Sequence, residues 1–248
     1  MLVGGMRFVL LLLVLLVGCN TDDRKKKEEE KLKLLGLVIA TNMNYQSQSC
    51  RAYYGEANFL FPHSQYYPSF VAKKTGYTNA IIGDSTMDIS SSYSGWLSSG
   101  SVSYAVSGNT MCDMLEQFRT LNPSVNNVLI ATNGGNDLLR KVAIDRIEST
   151  GKELINTVNS VKTGKLAVIG IHPTRVDYAN QNRNDLNNRI KTYTESVGGC
   201  YVGGLDDLIP LDSQGRADQS YMLDSIHYNE SVSNNVKLKI LNICGISL

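Results

Sequence analysis

Short apolar runs recur along the chain at residues 79–82, 102–106, 127–131, 166–171 and 201–202. Each is bounded by glycine or polar residues and is rich in β-branched side chains, the pattern of strands buried on both faces of a parallel sheet. Between the runs, apolar residues recur at helical spacing. Met111, Met114, Leu115 and Phe118 share a face, with Thr110 and Asp113 placed as an N-terminal capping pair. Ile144, Ile147, Gly151, Leu154, Val158 and Val161 form a second stripe, and Leu186, Ile190, Tyr193 and Val197 a third. Val232, Val236, Ile240 and Ile243 form the last. Repeated strand–helix units of this length predict a three-layer α/β/α domain around a five-stranded, mostly parallel sheet. No internal repeat is present. Residues 36–77 fit the pattern least: they are aromatic-rich, and periodicity assigns them no element or role.

The N-terminus follows a different rule. Arg7 precedes ten unbroken apolar residues, 8–17. Ten residues of helix rise about 15 Å, too little for a bilayer core of about 30 Å. A basic residue, a short apolar run and small residues after it are the pattern of an export signal. The run ends in Leu16-Val17-Gly18-Cys19, which resembles the lipobox of bacterial lipoproteins. That resemblance implies cleavage before Cys19, acylation of its thiol, and anchoring in a bacterial cell membrane. The outer membrane stays open as the destination, because Asn20 is not the aspartate that retains many lipoproteins at the inner one. Residues 22–33 then alternate blocks of like charge that solvate well and bury nothing, so 19–36 reads as a tether and 37–248 as the folded domain.

Composition narrows the function classes. Of 248 residues, 42% are hydrophobic and 19% charged, with 24 basic against 23 acidic side chains. Residues 1–36 hold seven of the basic and five of the acidic groups. The remainder is close to neutral and has no electrostatic footprint for nucleic acid. If Cys19 carries lipid, Cys50, Cys112, Cys200 and Cys244 remain, an even number suited to disulfides in an oxidising compartment. Four cysteines allow three pairings, and the sequence does not choose among them. Oligomeric state is equally unmarked.

Candidate chemistry gathers where an open parallel sheet collects it, at the carboxyl ends of the strands. Gly83-Asp84-Ser85 follows the first run. Ser107-Gly108-Asn109-Thr110 follows the second, and Gly134-Gly135-Asn136-Asp137 lies just beyond the third. Asp224-Ser225-Ile226-His227 precedes the last helix. A serine needs a base before it is nucleophilic, and a histidine oriented by an aspartate is the usual one.

These blocks resemble, in order and over residues 83–227, the SGNH (GDSL-type) hydrolase superfamily. The resemblance implies a flavodoxin-like strand order 2-1-3-4-5 and a catalytic triad of Ser85, Asp224 and His227. It further implies an oxyanion hole made of the Ser85 and Gly108 backbone N–H groups and the Asn136 side-chain amide. The implied activity is hydrolysis of carboxylic esters, acyl groups on glycans or lipids, with neither metal nor organic cofactor. Two departures stand out: Thr86-Met87 follows the serine where leucine is frequent, and Ser225 stands where glycine often does. An O-acyltransferase would use the same triad, and a binding lipoprotein could keep the fold without turnover.

Plainer readings compete at each position. Gly83-Asp84-Ser85 can be a helix-capping turn, Asn133-Gly134 a hairpin turn, and Asp224 and His227 a surface pair. His172, before Pro173, suits a structural role closing the fourth strand, and His63 stands apart from the motifs. Tyr53, Tyr54, Tyr66 and Tyr67 suit core packing better than a ligand groove. The chain has no Gly-x-Ser-x-Gly elbow, no Gly-x-Gly-x-x-Gly turn and no Cys-x-x-Cys pair. It therefore lacks the usual marks of α/β-hydrolases, dinucleotide enzymes and zinc sites.

Overall fold

Five parallel strands set the frame: β1 (Asn79–Gly83), β2 (Ser101–Ser103), β3 (Asn127–Ala131), β4 (Leu166–Ile169) and β5 (Cys200–Gly203), in the order β2-β1-β3-β4-β5. The computed structural model describes residues 74–248. The signal segment with Cys19, the charged tether, the boundary at residue 37, Cys50, His63 and Tyr53, Tyr54, Tyr66 and Tyr67 lie outside the described residues. The α/β/α class and the 2-1-3-4-5 order are as the sequence implied.

Strand side chains alternate between two cores, as a period of two requires. Ala80, Ile82, Val128, Ile130, Leu166 and Val168 face one way. They meet α2 (Met111–Leu121), α4 (Ile144–Val161) and α5 (Asp177–Ser196) through Met114, Phe118, Leu154, Val158, Leu186 and Ile190. Ile81, Leu129, Ala167 and Ile169 face the other way. Their partners include Met87 of α1 (Ser85–Ser92) and Val232, Val236 and Ile240 of α6 (Glu230–Cys244). Each valine, leucine, isoleucine, methionine or phenylalanine among them, fully buried, contributes about 1.5–3 kcal/mol. Thr110 and Asp113 form the capping pair that starts α2.

Four details depart from the sequence reading. The second strand stops at Ser103, well short of residue 106. Beyond it the chain keeps only isolated bonds to β1, from Tyr104 N–H to Ile81 and from Val106 N–H to Gly83. The fourth strand stops at Ile169 because the Asn187 side chain takes both the N–H and the carbonyl of Ile171, at 2.8 Å each. In α6 the stripe closes on Cys244, which is buried, while Ile243 is 50% exposed. Steps of four from Val236 and Ile240 reach Cys244, and its disulfide to Cys200 of β5 holds it inward. Val161, at the end of α4, is likewise exposed.

Two short helices were invisible to periodicity. α1 and α3 (Gly135–Leu139) carry no apolar stripe, yet both start at carboxyl ends of central strands.

Candidate active site

Ser85 owes its place to Asp84. At the end of β1 the extended backbone of Asp84 caps α1, and its Oδ1 accepts the Thr86 N–H at 3.0 Å. Its Oδ2 accepts the Thr132 hydroxyl just past β3. The cap makes Ser85 the first residue of a helix, where backbone N–H groups lack intrahelical partners. The capping turn and the site motif are thus the same three residues.

The loop after β2 is pinned from both sides. Ser107 donates to Asp88 of α1 from its N–H, at 3.2 Å, and from its hydroxyl, at 2.6 Å. Asn109 donates from Nδ2 to the Gly83 carbonyl at 2.9 Å. Gly108 lies between these anchors with φ +85°, a conformation that a side chain would strain. Its carbonyl accepts from Arg140 at 3.3 Å. Asn136, in the first turn of α3, donates from Nδ2 to the Asn109 carbonyl at 2.8 Å. The next residue, Asp137, is buried and accepts the Met111 N–H at 3.0 Å, tying α3 to the start of α2. At Gly134, φ is +98°, and a Cβ would stand 2.6 Å from Ile147. The tight turn that starts α3 therefore needs glycine there.

The last element is the loop before α6. Asp224 Oδ1 accepts the backbone N–H groups of Ile226 and His227, at 2.7 and 2.8 Å, which folds the loop back on itself. Arg175 N–H holds the Ser225 carbonyl at 2.8 Å. The His227 ring reaches Asp224 Oδ2 through Nδ1 at 2.7 Å and Ser85 Oγ through Nε2 at 2.7 Å. A carboxylate only accepts, so Nδ1 carries the ring proton and Nε2 is left to accept from the serine hydroxyl. Ser85, His227 and Asp224 therefore stand in one hydrogen-bonded line.

The surrounding charges are sorted by burial. Partial burial disfavours the ionised form of Asp224, but bonds from the His227 ring and backbone and from Ile226 outweigh it and hold its carboxyl below the usual value. Asp84 goes the other way: full burial raises its pKa, and the bonds from Thr132 and Thr86 offset this only in part. Burial drives His172 down to about 4, against the bond its ring makes to Ile226. Two carboxyls within one turn of the site thus differ in kind: one readily ionised, one held toward neutrality.

Ser85 and Asn136 share a small cleft with Thr132, Gly135, Leu139, Ile171, Ala179 and Ile226. Among the described residues, no cluster of three or more histidine, cysteine or acidic side chains is placed to hold a metal ion.

Thr132, Asp88 and His172 support the site from outside the motifs, and Asn109 supports it from within one. Each acts through a contact to a residue at least 19 positions away, which local pattern does not record.

The sequence matches no protein-family model and no curated protein. Solved structures do match in shape. A GDSL-like lipase from Bacteroides thetaiotaomicron aligns at TM-score 0.59 and 15% identity, over 74% of this chain and 96% of that one. Axe2, an acetylxylan esterase from Geobacillus stearothermophilus, aligns at TM-score 0.54 and 14% identity, over 71% and 98%. The esterase EstA from Pseudoalteromonas sp. aligns at TM-score 0.50 and 17% identity, over 68% and 97%. The described domain shares its α/β/α fold with these proteins.

Proposed function

We propose that the protein is a serine esterase that cleaves carboxylic esters through an acyl-enzyme on Ser85. The observation that carries this reading is the line of two 2.7 Å contacts joining Ser85 Oγ, the His227 ring and the Asp224 carboxylate. The fold it shares with a GDSL-like lipase and two esterases supports the same class of bond.

In this reading His227 Nε2 takes the Ser85 proton as Oγ attacks the ester carbonyl, and Asp224 stabilises the imidazolium that results. The developing oxyanion is met by the N–H groups of Ser85 and Gly108 and the amide of Asn136, donors worth several kcal/mol in such sites. His227 then returns the proton to the leaving alcohol. Water, deprotonated by the same nitrogen, cleaves the acyl-enzyme and restores the hydroxyl. The alcohol would be a glycan hydroxyl or a glycerol. Anchoring through Cys19 belongs to the same proposal: the lipobox-like residues 16–19 and the charged stretch 22–33 support an enzyme tethered at a membrane.

A fluorophosphonate probe tests the core of it. The full chain, solubilised in mild detergent, should be labelled, and Ser85→Ala should abolish the label. Labelling that survives Ser85→Ala, or a parent protein that never reacts, would overturn the assignment.

A further inference from the structure

We propose that the enzyme is specific for the acetyl group, because the cleft beside Ser85 is closed after about one methyl group. The proposal rests on the esterase reading above and adds to it the size of the acyl group.

The cleft is the acyl side of the site and not the alcohol side. The leaving oxygen must face His227 Nε2 to receive its proton. His227 does not line the cleft, whereas Ser85 and Asn136 do. With the carbonyl oxygen turned toward the Asn136 amide and the alcohol toward His227, the remaining substituent on the carbonyl carbon points into the cleft. Leu139, Ile171, Ala179 and Ile226 make up its apolar wall, and Asp84, Thr86, Thr132, His172 and Thr174 line the rest.

That wall leaves little space. About 10 Å³ is open to the centre of a water-sized group, enough for a single water or methyl group. Ile171 and Ala179 are each 1% exposed, so the wall behind them is packed core and not solvent. Ile171 is also fixed at its backbone by the two bonds from Asn187. Its buried side chain can turn aside only against packed neighbours. A longer chain would have to displace packed side chains, and one methylene of mismatch in an apolar pocket changes kcat/KM by roughly 10–200-fold.

The test is a chain-length series of p-nitrophenyl esters, acetyl to octanoyl, on the detergent-solubilised full chain, run beside fluorophosphonate labelling of Ser85. We expect kcat/KM to fall at least about tenfold between acetyl and propionyl esters. Leu139→Ala, at a half-buried position, should narrow that gap severalfold. Ile171→Val removes one methyl group from the deeper wall and should do the same if Leu139→Ala proves unstable. A labelled enzyme that turns over propionyl or longer esters as fast as acetyl overturns the size limit alone. So does a gap that neither variant moves. Absence of labelling overturns the esterase reading and, with it, this one.

Discussion

His172 donates from Nε2 to the carbonyl of Ile226 at 2.7 Å, one residue before His227. The same ring packs edge-on against Tyr228, one residue after it, with centroids 5.0 Å apart. Both chain neighbours of His227 are therefore held by one buried side chain from the end of β4. The carbonyl can only accept, so the proton sits on Nε2, and the buried Nδ1 is left without a partner. A second proton would have to be placed on that nitrogen, away from water.

This gives the protein a stability that depends on acidity. With its folded pKa lowered from 6.5 to about 4, His172 is protonated first in the unfolded chain. Its contribution is intact above about pH 6.5 and is lost as pH falls from there toward 4, by up to about 3 kcal/mol. Urea midpoints measured between pH 7 and 4.5 should fall accordingly. His172→Asn should start less stable and show a shallower slope. Parallel slopes for the two proteins would refute the assignment.

The proposed triad should fail as a unit. Ser85→Ala and His227→Ala are each expected to lower kcat by several orders of magnitude on an acetyl ester, and the double change to cost little more. Asp224→Asn is a different experiment. An amide oxygen in place of Oδ1 can still receive the Ile226 and His227 N–H groups, so the loop persists while the His227 tautomer is no longer enforced. An intermediate loss with an unchanged thermal midpoint is expected. Multiplicative losses in the double variant would mean that Ser85 and His227 act separately.

The Cys200–Cys244 bond spans 44 residues, a stretch that includes Asp224 and His227. Closing a loop of that length in the unfolded chain is worth about 4 kcal/mol by chain entropy, and less wherever the reduced chain keeps structure. Cys200→Ser with Cys244→Ser should lower the thermal midpoint by several degrees or more. An unchanged midpoint would mean that packing of α6 through Val232, Val236 and Ile240 alone fixes this end of the domain.

The proposed anchor is separable from the proposed chemistry. Cys19→Ala should move the protein from the membrane fraction to the soluble one, or arrest it with its leader attached. Identical partitioning of parent and variant would dispose of the lipid anchor.

Legibility in the sequence followed the range of the interaction involved. The strands announced themselves because a parallel strand buried on both faces, such as 127–131, is apolar at nearly every position. α1 and α3 did not, because their place is set by the Asp84 cap and the Gly134 turn and not by an apolar stripe. The site blocks were readable as short motifs. What could not be read was the scaffolding that aims them: Thr132 on Asp84, Asp88 on Ser107, His172 beneath Ile226. Arg183 shows the limit most plainly. An arginine within a polar helix reads as solvent-facing, yet its side chain is 2% exposed and forks onto Asp206.

The order in which the parts of the site occur along the chain also sets when it can exist. Ser85 follows the first strand, and its proposed base, His227, arrives only after the fifth. A polypeptide still emerging from a ribosome or a translocation channel, complete through β5 but short of residue 224, carries an ordinary hydroxyl. On the proposed triad, reactivity at Ser85 is thus a late event in the life of each molecule, and a fluorophosphonate label would count finished domains rather than chains.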